Sequence, residues 1–165
     1  REANMLDGGT PFYKAYETAD GKHLSVAPIE PQFFAEMIEK LGLPERFVAE
    51  QNNPVVWPEL IDALTSAFKT KTRDEWVAIF EGSDACVAGI LTLQEAADHP
   101  HNKARNTYIE INGQVQPAPA PRFSRSQSAT PNAPSSEGAD TKQVLSDWGF
   151  DSDKLKALEQ AGVFT

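Results

Sequence analysis

The stretch that most constrains the fold runs from residue 6 to residue 34, where two strand patterns lead directly into a helix pattern. Alternating polar and apolar residues predict two half-buried strands, joined by a tight turn at Asp20-Gly21, where positive φ is needed. Pro28 and Pro31 stop the second strand, and Pro31 suits the first position of a helix. We therefore expect Glu30 to lie on rigid backbone at a strand-to-helix junction, with its carboxylate able to reach out of the domain.

Other elements follow from apolar residues spaced three and four positions apart. Residues 32–41 form one such amphipathic segment, which Gly42 ends. Thr72 with Glu75 is a capping box that begins a further helix. The apolar run over residues 86–91 is typical of a buried strand, in which Cys86 would be a small hydrophobic residue.

The predicted fold class is α+β. Residues 1–123 would form a small two-layer domain of short antiparallel strands and helices, with a second hairpin turning at Asn112-Gly113. Residues 124–140 are rich in Ser, Pro and Ala without periodicity, which predicts a flexible linker. Residues 141–165 predict a tail of two short helices whose apolar stripe has too little mass to be buried alone.

Charge and cysteine content exclude several classes of partner. The chain has 165 residues and a formal net charge of −9, which argues against nucleic acid or an acidic membrane surface. No apolar run approaches the length that spans a bilayer, so we expect no membrane insertion. A single cysteine cannot form an internal disulfide, and a cytoplasmic location is the simpler interpretation. The start at Arg1, without an initiator Met, is typical of a cut into a longer polypeptide.

Several polar groups have a simple explanation besides a functional one. Asp98, His99 and His101 suggest a metal site, but two His residues flanking a proline are weak evidence without further ligands. Asp84 can accept backbone hydrogen bonds within its own loop. Glu30, by position and charge alone, would contribute about 0.3–1 kcal/mol through the dipole of the helix that follows it.

Four segments in order carry a resemblance to a known family: NMLDGGTPFY, YETADGKHLSVAPIEPQFF, RDEWVAIFEGSDACV and QPAPAPRFSRS. Over almost its whole length the chain resembles the C-terminal part of the α-methylacyl-CoA racemases, within the family III CoA-transferase group. The resemblance implies the small domain and tail of an interlocked homodimer, with the active site between the large domain of one chain and the small domain of the other. It also implies that the proton-transferring His and Asp lie upstream of Arg1.

The resemblance assigns roles to four residues of this chain. Glu30 matches the glutamate that hydrogen-bonds the catalytic histidine of the opposite chain, a supporting catalytic role. Ile29, Leu6 and Tyr13 match positions that line the acyl pocket. The sequence departs from the racemase pattern at Ala27-Pro28, where Gly-Ala is usual, and at Ala88-Gly89, where Thr-Pro is usual. These departures bear on substrate range more than on reaction type.

The resemblance therefore implies an isomerase that epimerises 2-methyl-branched acyl-CoA thioesters by removing and returning the α-proton, without a metal or redox cofactor. The isolated chain, lacking the catalytic pair, is expected to be inactive. Two alternatives stay open. One is a CoA-transferase of the same group, which would use a carboxylate nucleophile and acyl-enzyme anhydrides. The other is a non-catalytic dimerisation module.

Overall fold

The computed structural model describes residue 2 and residues 4–164. Arg1, Ala3 and Thr165 lie outside the described residues. The chain divides into two compact units, one up to Thr92 and one from Leu93 onward, and each is described by itself. The predicted boundaries at residues 123 and 140 stay predictions.

The first unit contains the predicted hairpin as part of a three-stranded antiparallel sheet. After a wide π-type turn at Met5–Gly9, its strands are β1 (Lys14–Glu17), β2 (His23–Val26) and β3 (Val87–Gly89), in the order β1-β2-β3. Leu24 lies opposite Tyr16 on one side and Gly89 on the other. Because successive residues of β2 alternate between exposed and buried, the sheet presents one face to the core.

Four helices complete the first unit: α1 (Pro31–Leu41), α2 (Arg46–Ala49), α3 (Trp57–Phe68) and α4 (Arg73–Phe80). Pro31 occupies the first turn of α1, and Gly42 closes that helix in the left-handed conformation with φ of 66°, as predicted. The Thr72–Glu75 capping box is also confirmed, since each residue's side chain bonds the other's backbone N–H.

The hydrophobic core lies entirely within the first unit. Every buried hydrophobic residue of the described chain belongs to it: Phe12, Tyr16, Leu24, Val26, Phe34, Met37, Ile38, Phe47, Leu60, Leu64, Phe68, Trp76, Phe80 and Ala85. Phe68 contacts the rings of Tyr16, Trp76 and Phe80. Burial of each such large side chain contributes about 1.5–3 kcal/mol, so the helices and the sheet are fixed against one another by packing.

The prediction of a buried strand over residues 86–91 is wrong. The strand is restricted to Val87–Gly89, where Ala88 is exposed and its two neighbours are half-buried. Cys86 is exposed and has φ of 51°, a conformation that interrupts extended backbone. The segment is an edge strand entered through a bend, which explains why its apolar residues are not enclosed.

The second unit contains α5 (Leu93–Asp98), α6 (Pro100–Ala104), β4 (Tyr108–Ile111), β5 (Gln114–Pro117), α7 (Thr141–Asp147) and α8 (Ser152–Gln160). The Asn112-Gly113 turn is confirmed, with φ of 50° and 77° at these two residues, as a type I′ hairpin turn requires. Residues 118–140 form no helix or strand in the described structure. Helices and short antiparallel strands confirm the α+β class. None of the helices within residues 4–164 has the length and apolar character to cross a bilayer.

Candidate functional site

Glu30 lies at the corner between β2 and α1, where it occupies the N-cap position of the helix. Its side chain is exposed and makes no capping hydrogen bond to the first turn of α1. Among the described residues, no hydrogen bond or ion pair engages the carboxylate. The carboxylate is therefore free to interact with a group outside this chain, which a capping carboxylate would not be.

The backbone that carries Glu30 is fixed by hydrogen bonds to all four carbonyls of residues 27–30. The Ala27 carbonyl accepts from Ile29 N at 2.9 Å, and the Glu30 carbonyl accepts from the N–H groups of Phe33 and Phe34 at 3.1 and 3.0 Å. The Ala27 N–H in turn donates to the Cys86 carbonyl at 3.0 Å. This corner is thus tied both to the helix that follows it and to the chain entering β3.

The remaining two carbonyls of the corner are bound by one buried side chain, Gln51. Its Nε2 donates to the carbonyl oxygens of Pro28 at 3.2 Å and Ile29 at 2.9 Å. The sequence patterns described above assign no role to Gln51, which follows the short helical turn of α2. The available signal was its spacing, since Gln51 follows the buried Phe47 by four residues and so falls on the inward side of that turn.

A surface pocket of about 450 Å³ brings two of the predicted acyl-pocket residues together. Leu6 and Tyr13 both line it, and Lys14, Ser25 and Ala27 complete the wall along the hairpin. Leu6 is 62% exposed, so its side chain is available to a ligand. Glu2 and Asp7 also line the pocket, so it combines apolar side chains with two carboxylates and one ammonium group, whose Nζ lies 3.8 Å from Glu2 Oε2.

Ile29 and Glu30, the other two predicted site residues, do not line that pocket. Ile29 is half-buried beside the corner, and the link between the two places is Ala27, which lines the pocket three residues before Glu30. The four predicted residues therefore fall into two adjoining groups, the pocket on the hairpin face and the carboxylate at the end of the same strand.

The surroundings of Glu30 are acidic. Partial desolvation raises the pKa of the Cys86 thiol, and the negative charges of Glu30, Asp84 and Glu36 raise it further. A thiol in this environment is a poor nucleophile, because nucleophilic cysteines need a lowered pKa. The Asp84 N–H donates to Glu36 Oε2 at 3.1 Å, and the Cys86 thiol donates to the Asp84 carbonyl. The first contact joins this loop to α1, which carries Glu36, and the second lies within the loop.

The His99–His101 segment does not form a ligand cluster. His99 Nδ1 accepts from the His101 N–H at 3.3 Å, and Asp98 pairs with Lys103 at 2.9 Å. Within residues 4–164, no three His, Cys, Asp or Glu side chains are placed together so that they could hold a metal ion.

Comparisons with a family profile and with curated proteins identify similar proteins over almost the whole chain. Residues 1–141 match the profile of CoA-transferase family III. The chain is 41% identical to the α-methylacyl-CoA racemase of Mus musculus and 40% identical to that of Homo sapiens, in each case over 96% of the chain and 42% of the relative. It thus spans about two fifths of the length of these curated relatives.

Among solved structures, the crystal structure of Rv3272 from Mycobacterium tuberculosis matches with a TM-score of 0.63 and 19% identity. The match covers 81% of this chain and 38% of that one, and it demonstrates a shared fold.

Proposed function

Because this chain belongs to CoA-transferase family III, we propose that it is the C-terminal part of an α-methylacyl-CoA racemase. The enzyme would epimerise 2-methyl-branched acyl-CoA thioesters. The observation that carries the proposal is the Glu30 carboxylate, exposed and unengaged on a corner where every carbonyl from residue 27 to residue 30 is hydrogen-bonded. The identity of 40–41% to racemases over nearly the whole chain favours this activity over the CoA-transferase alternative.

The reaction is a proton transfer at the carbon next to the thioester. A base removes the α-proton, the electron pair of the broken C–H bond moves into the thioester as an enolate, and an acid returns a proton to the opposite face. Each positioned acid or base contributes about 10²–10⁴-fold. The His and Asp that perform these transfers would come from the segment of the enzyme upstream of this chain.

In this scheme Glu30 is a supporting residue. A carboxylate that accepts a hydrogen bond from the partner chain's histidine would fix its tautomer and stabilise its protonated form. The active site would therefore form between two subunits of a homodimer, each small domain supplying Glu30 to the other chain's catalytic pair.

The acyl chain would lie against Leu6, Tyr13 and Ile29. The phosphates of CoA would be held mainly by other parts of the enzyme, because this chain has a net charge of −9 and its pocket presents one lysine. The reaction as proposed needs no metal or redox cofactor. We also propose a cytoplasmic location.

The C-terminal helices would dock on the remainder of the enzyme. Trp148 is 82% exposed, and Val144 and Val163 are also exposed. A tail of this size cannot bury its own apolar side chains, so a covering surface from the rest of the protein would account for them.

The test is exchange of the α-hydrogen in D₂O. The full-length enzyme incubated with a 2-methylacyl-CoA should replace that hydrogen with deuterium, which mass spectrometry detects. The present 165 residues alone should give no exchange. Lack of exchange by the full-length enzyme would contradict the proposed activity. A covalent acyl-enzyme adduct in the same spectra would instead support the transferase mechanism.

A further inference from the structure

The side-chain amide of Gln51 holds the two peptide groups that precede Glu30. Gln51 is only 2% exposed, and its side-chain amide donates to two consecutive carbonyls, those of Pro28 and Ile29. The orientation of the amide follows from these partners. Reversing it would place Oε1 against two carbonyl oxygens, which have no hydrogen to donate.

Gln51 can control the direction of the Glu30 side chain because peptide groups are planar. The carbonyl of Ile29 lies in the same rigid plane as the nitrogen of Glu30. Orienting that carbonyl therefore orients the bond from Glu30 N to its Cα, from which the carboxylate extends. The strand ladder does not hold these two carbonyls, because β2 ends at Val26, before Pro28 and Ile29.

The main chain of Gln51 is also fixed by a hydrogen bond. The indole Nε1 of Trp57 donates to the Gln51 main-chain carbonyl at 2.8 Å, and Trp57 packs edge-on against the buried ring of Phe12. The series Trp57, Gln51, Ile29, Glu30 thus connects the hydrophobic core to the exposed carboxylate through hydrogen bonds and one peptide plane.

Packing alone does not explain a glutamine at this place. No described residue donates to the buried Gln51 Oε1, whereas a methionine of similar length would fill the space without a second polar atom. The donated bonds are what glutamine adds. We propose that Gln51 is a positioning residue for the reaction, acting through Glu30 on the partner chain's histidine; this rests on the function proposed above.

A double-mutant cycle in the full-length enzyme tests the proposal. Gln51→Met removes both donated bonds, and we expect the rate of α-hydrogen exchange to fall roughly ten-fold, because small misplacements of catalytic groups have effects of this order. Glu30→Gln should lower it further. If Gln51 acts through Glu30, the double variant should exchange no more slowly than Glu30→Gln alone.

The pH profile supplies a readout that a purely structural role would not move. Loss of the neighbouring carboxylate disfavours the protonated form of the catalytic histidine. In Glu30→Gln, the part of the pH–rate profile that follows the titration of this histidine should therefore shift to lower pH. Gln51→Met should shift it in the same direction by less. An unshifted profile in Gln51→Met, or rate losses that multiply in the double variant, would overturn the inference.

A matched pair of tryptophan variants keeps the test independent of the folding of Gln51→Met. Trp57→Phe removes the indole bond that holds Gln51, and Trp76→Phe removes a bond of the same kind, from Trp76 Nε1 to the Phe68 carbonyl at 3.0 Å. Trp57→Phe should slow exchange several-fold beyond Trp76→Phe at equal folded fraction. Equal rates would contradict the inference.

The wild-type enzyme and the Glu30→Gln variant test the proposed function and are measured before any Gln51 variant. A wild-type enzyme that does not exchange the α-hydrogen, or a Glu30→Gln variant at the wild-type rate, would overturn the role of Glu30 and the inference with it. A slowed Glu30→Gln beside a Gln51→Met at the wild-type rate would overturn the positioning role alone.

Discussion

The two compact units of this chain contain the same kinds of turns and helix caps, but among the described residues only the first unit has a hydrophobic core. Each contains an antiparallel hairpin with a glycine turn and capped helices. All buried hydrophobic residues lie in the first unit, while the described residues from Leu93 onward include no buried side chain. Turn and capping residues therefore produce helices and hairpins in both units, but only those of the first unit are held by buried side chains.

This difference explains where the candidate site lies. A supporting carboxylate is useful only if its backbone does not move, and Glu30 follows a strand whose Leu24 and Val26 are fully enclosed. The hairpin of the second unit has half-buried and exposed side chains, among them Val115 at 59% exposed. Such a hairpin is marginal by itself, unlike the hairpin of the first unit, which packs on the core.

The largest expected contrast is between core truncations in the two hairpins. Leu24→Ala should lower the free energy of unfolding by roughly 2–5 kcal/mol, because it leaves a cavity in the hydrophobic core on the buried face of β2. Val115→Ala should change it by less than about 0.5 kcal/mol. Urea unfolding followed by far-ultraviolet circular dichroism measures both. Equal losses would mean that the second hairpin carries a core of its own.

Helix caps provide a smaller contrast. Thr72 Oγ1 accepts from Glu75 N at 3.3 Å, and Asp151 Oδ1 accepts from Lys154 N at 2.8 Å. Replacement of either by Ala should cost about 1 kcal/mol locally. In Thr72→Ala the loss should lower global stability, because α4 buries Trp76 and Phe80.

In Asp151→Ala the loss should be confined to α8, which has no buried residue. Amide hydrogen exchange distinguishes the two cases, since it resolves each helix separately. A uniform increase in exchange across the first unit of Asp151→Ala would contradict the comparison.

The smallest expected contrast concerns acid stability. The hydrogen bond from Thr18 Oγ1, at 2.5 Å, holds the pKa of Asp20 below its usual value, and the Arg73 N–H at 3.2 Å acts in the same direction. The stabilisation is therefore present above about pH 3.9, the unfolded value, and is lost as pH falls below it through the folded pKa.

Asp20→Asn should flatten this acid decline in melting temperature below about pH 3.9. The control is Asp98→Asn in the second unit, whose ion pair with Lys103 is exposed on both sides and should contribute little. Parallel curves for wild type and Asp20→Asn would show that the hairpin turn is not held by this carboxylate.

The features that sequence reasoning predicted well are local ones. The hairpin turn at Asp20-Gly21, the helix start at Pro31, the helix end at Gly42 and the Thr72 capping box are four separate features. Each depends on residues within about four positions of the turn or helix end concerned. Their geometry follows from φ preferences and from which backbone groups need a partner. The outward position of Glu30 was predictable for the same reason, because two prolines and a helix start lie within three residues of it.

The features that it missed depend on contacts between distant segments. Nothing in the local sequence indicates that the Gln51 side chain bonds Pro28 and Ile29, which precede it by 23 and 22 positions. The exposure of Cys86 was also missed, because an apolar run predicts burial only if the strand lies inside the sheet. Here β3 is an edge strand, and a positive φ at Cys86 begins it. Pairing order and edge position are properties of the whole fold.

The most direct test of the central claim compares two glutamates at the two ends of α1. In the full-length enzyme, Glu30→Gln should slow α-hydrogen exchange in D₂O by roughly 10- to 100-fold. It should lower stability by no more than about 1 kcal/mol, because the Glu30 carboxylate makes no capping hydrogen bond. Glu39→Gln, at an exposed position of the same helix, should exchange at the wild-type rate. Equal exchange by Glu30→Gln and Glu39→Gln would contradict the account.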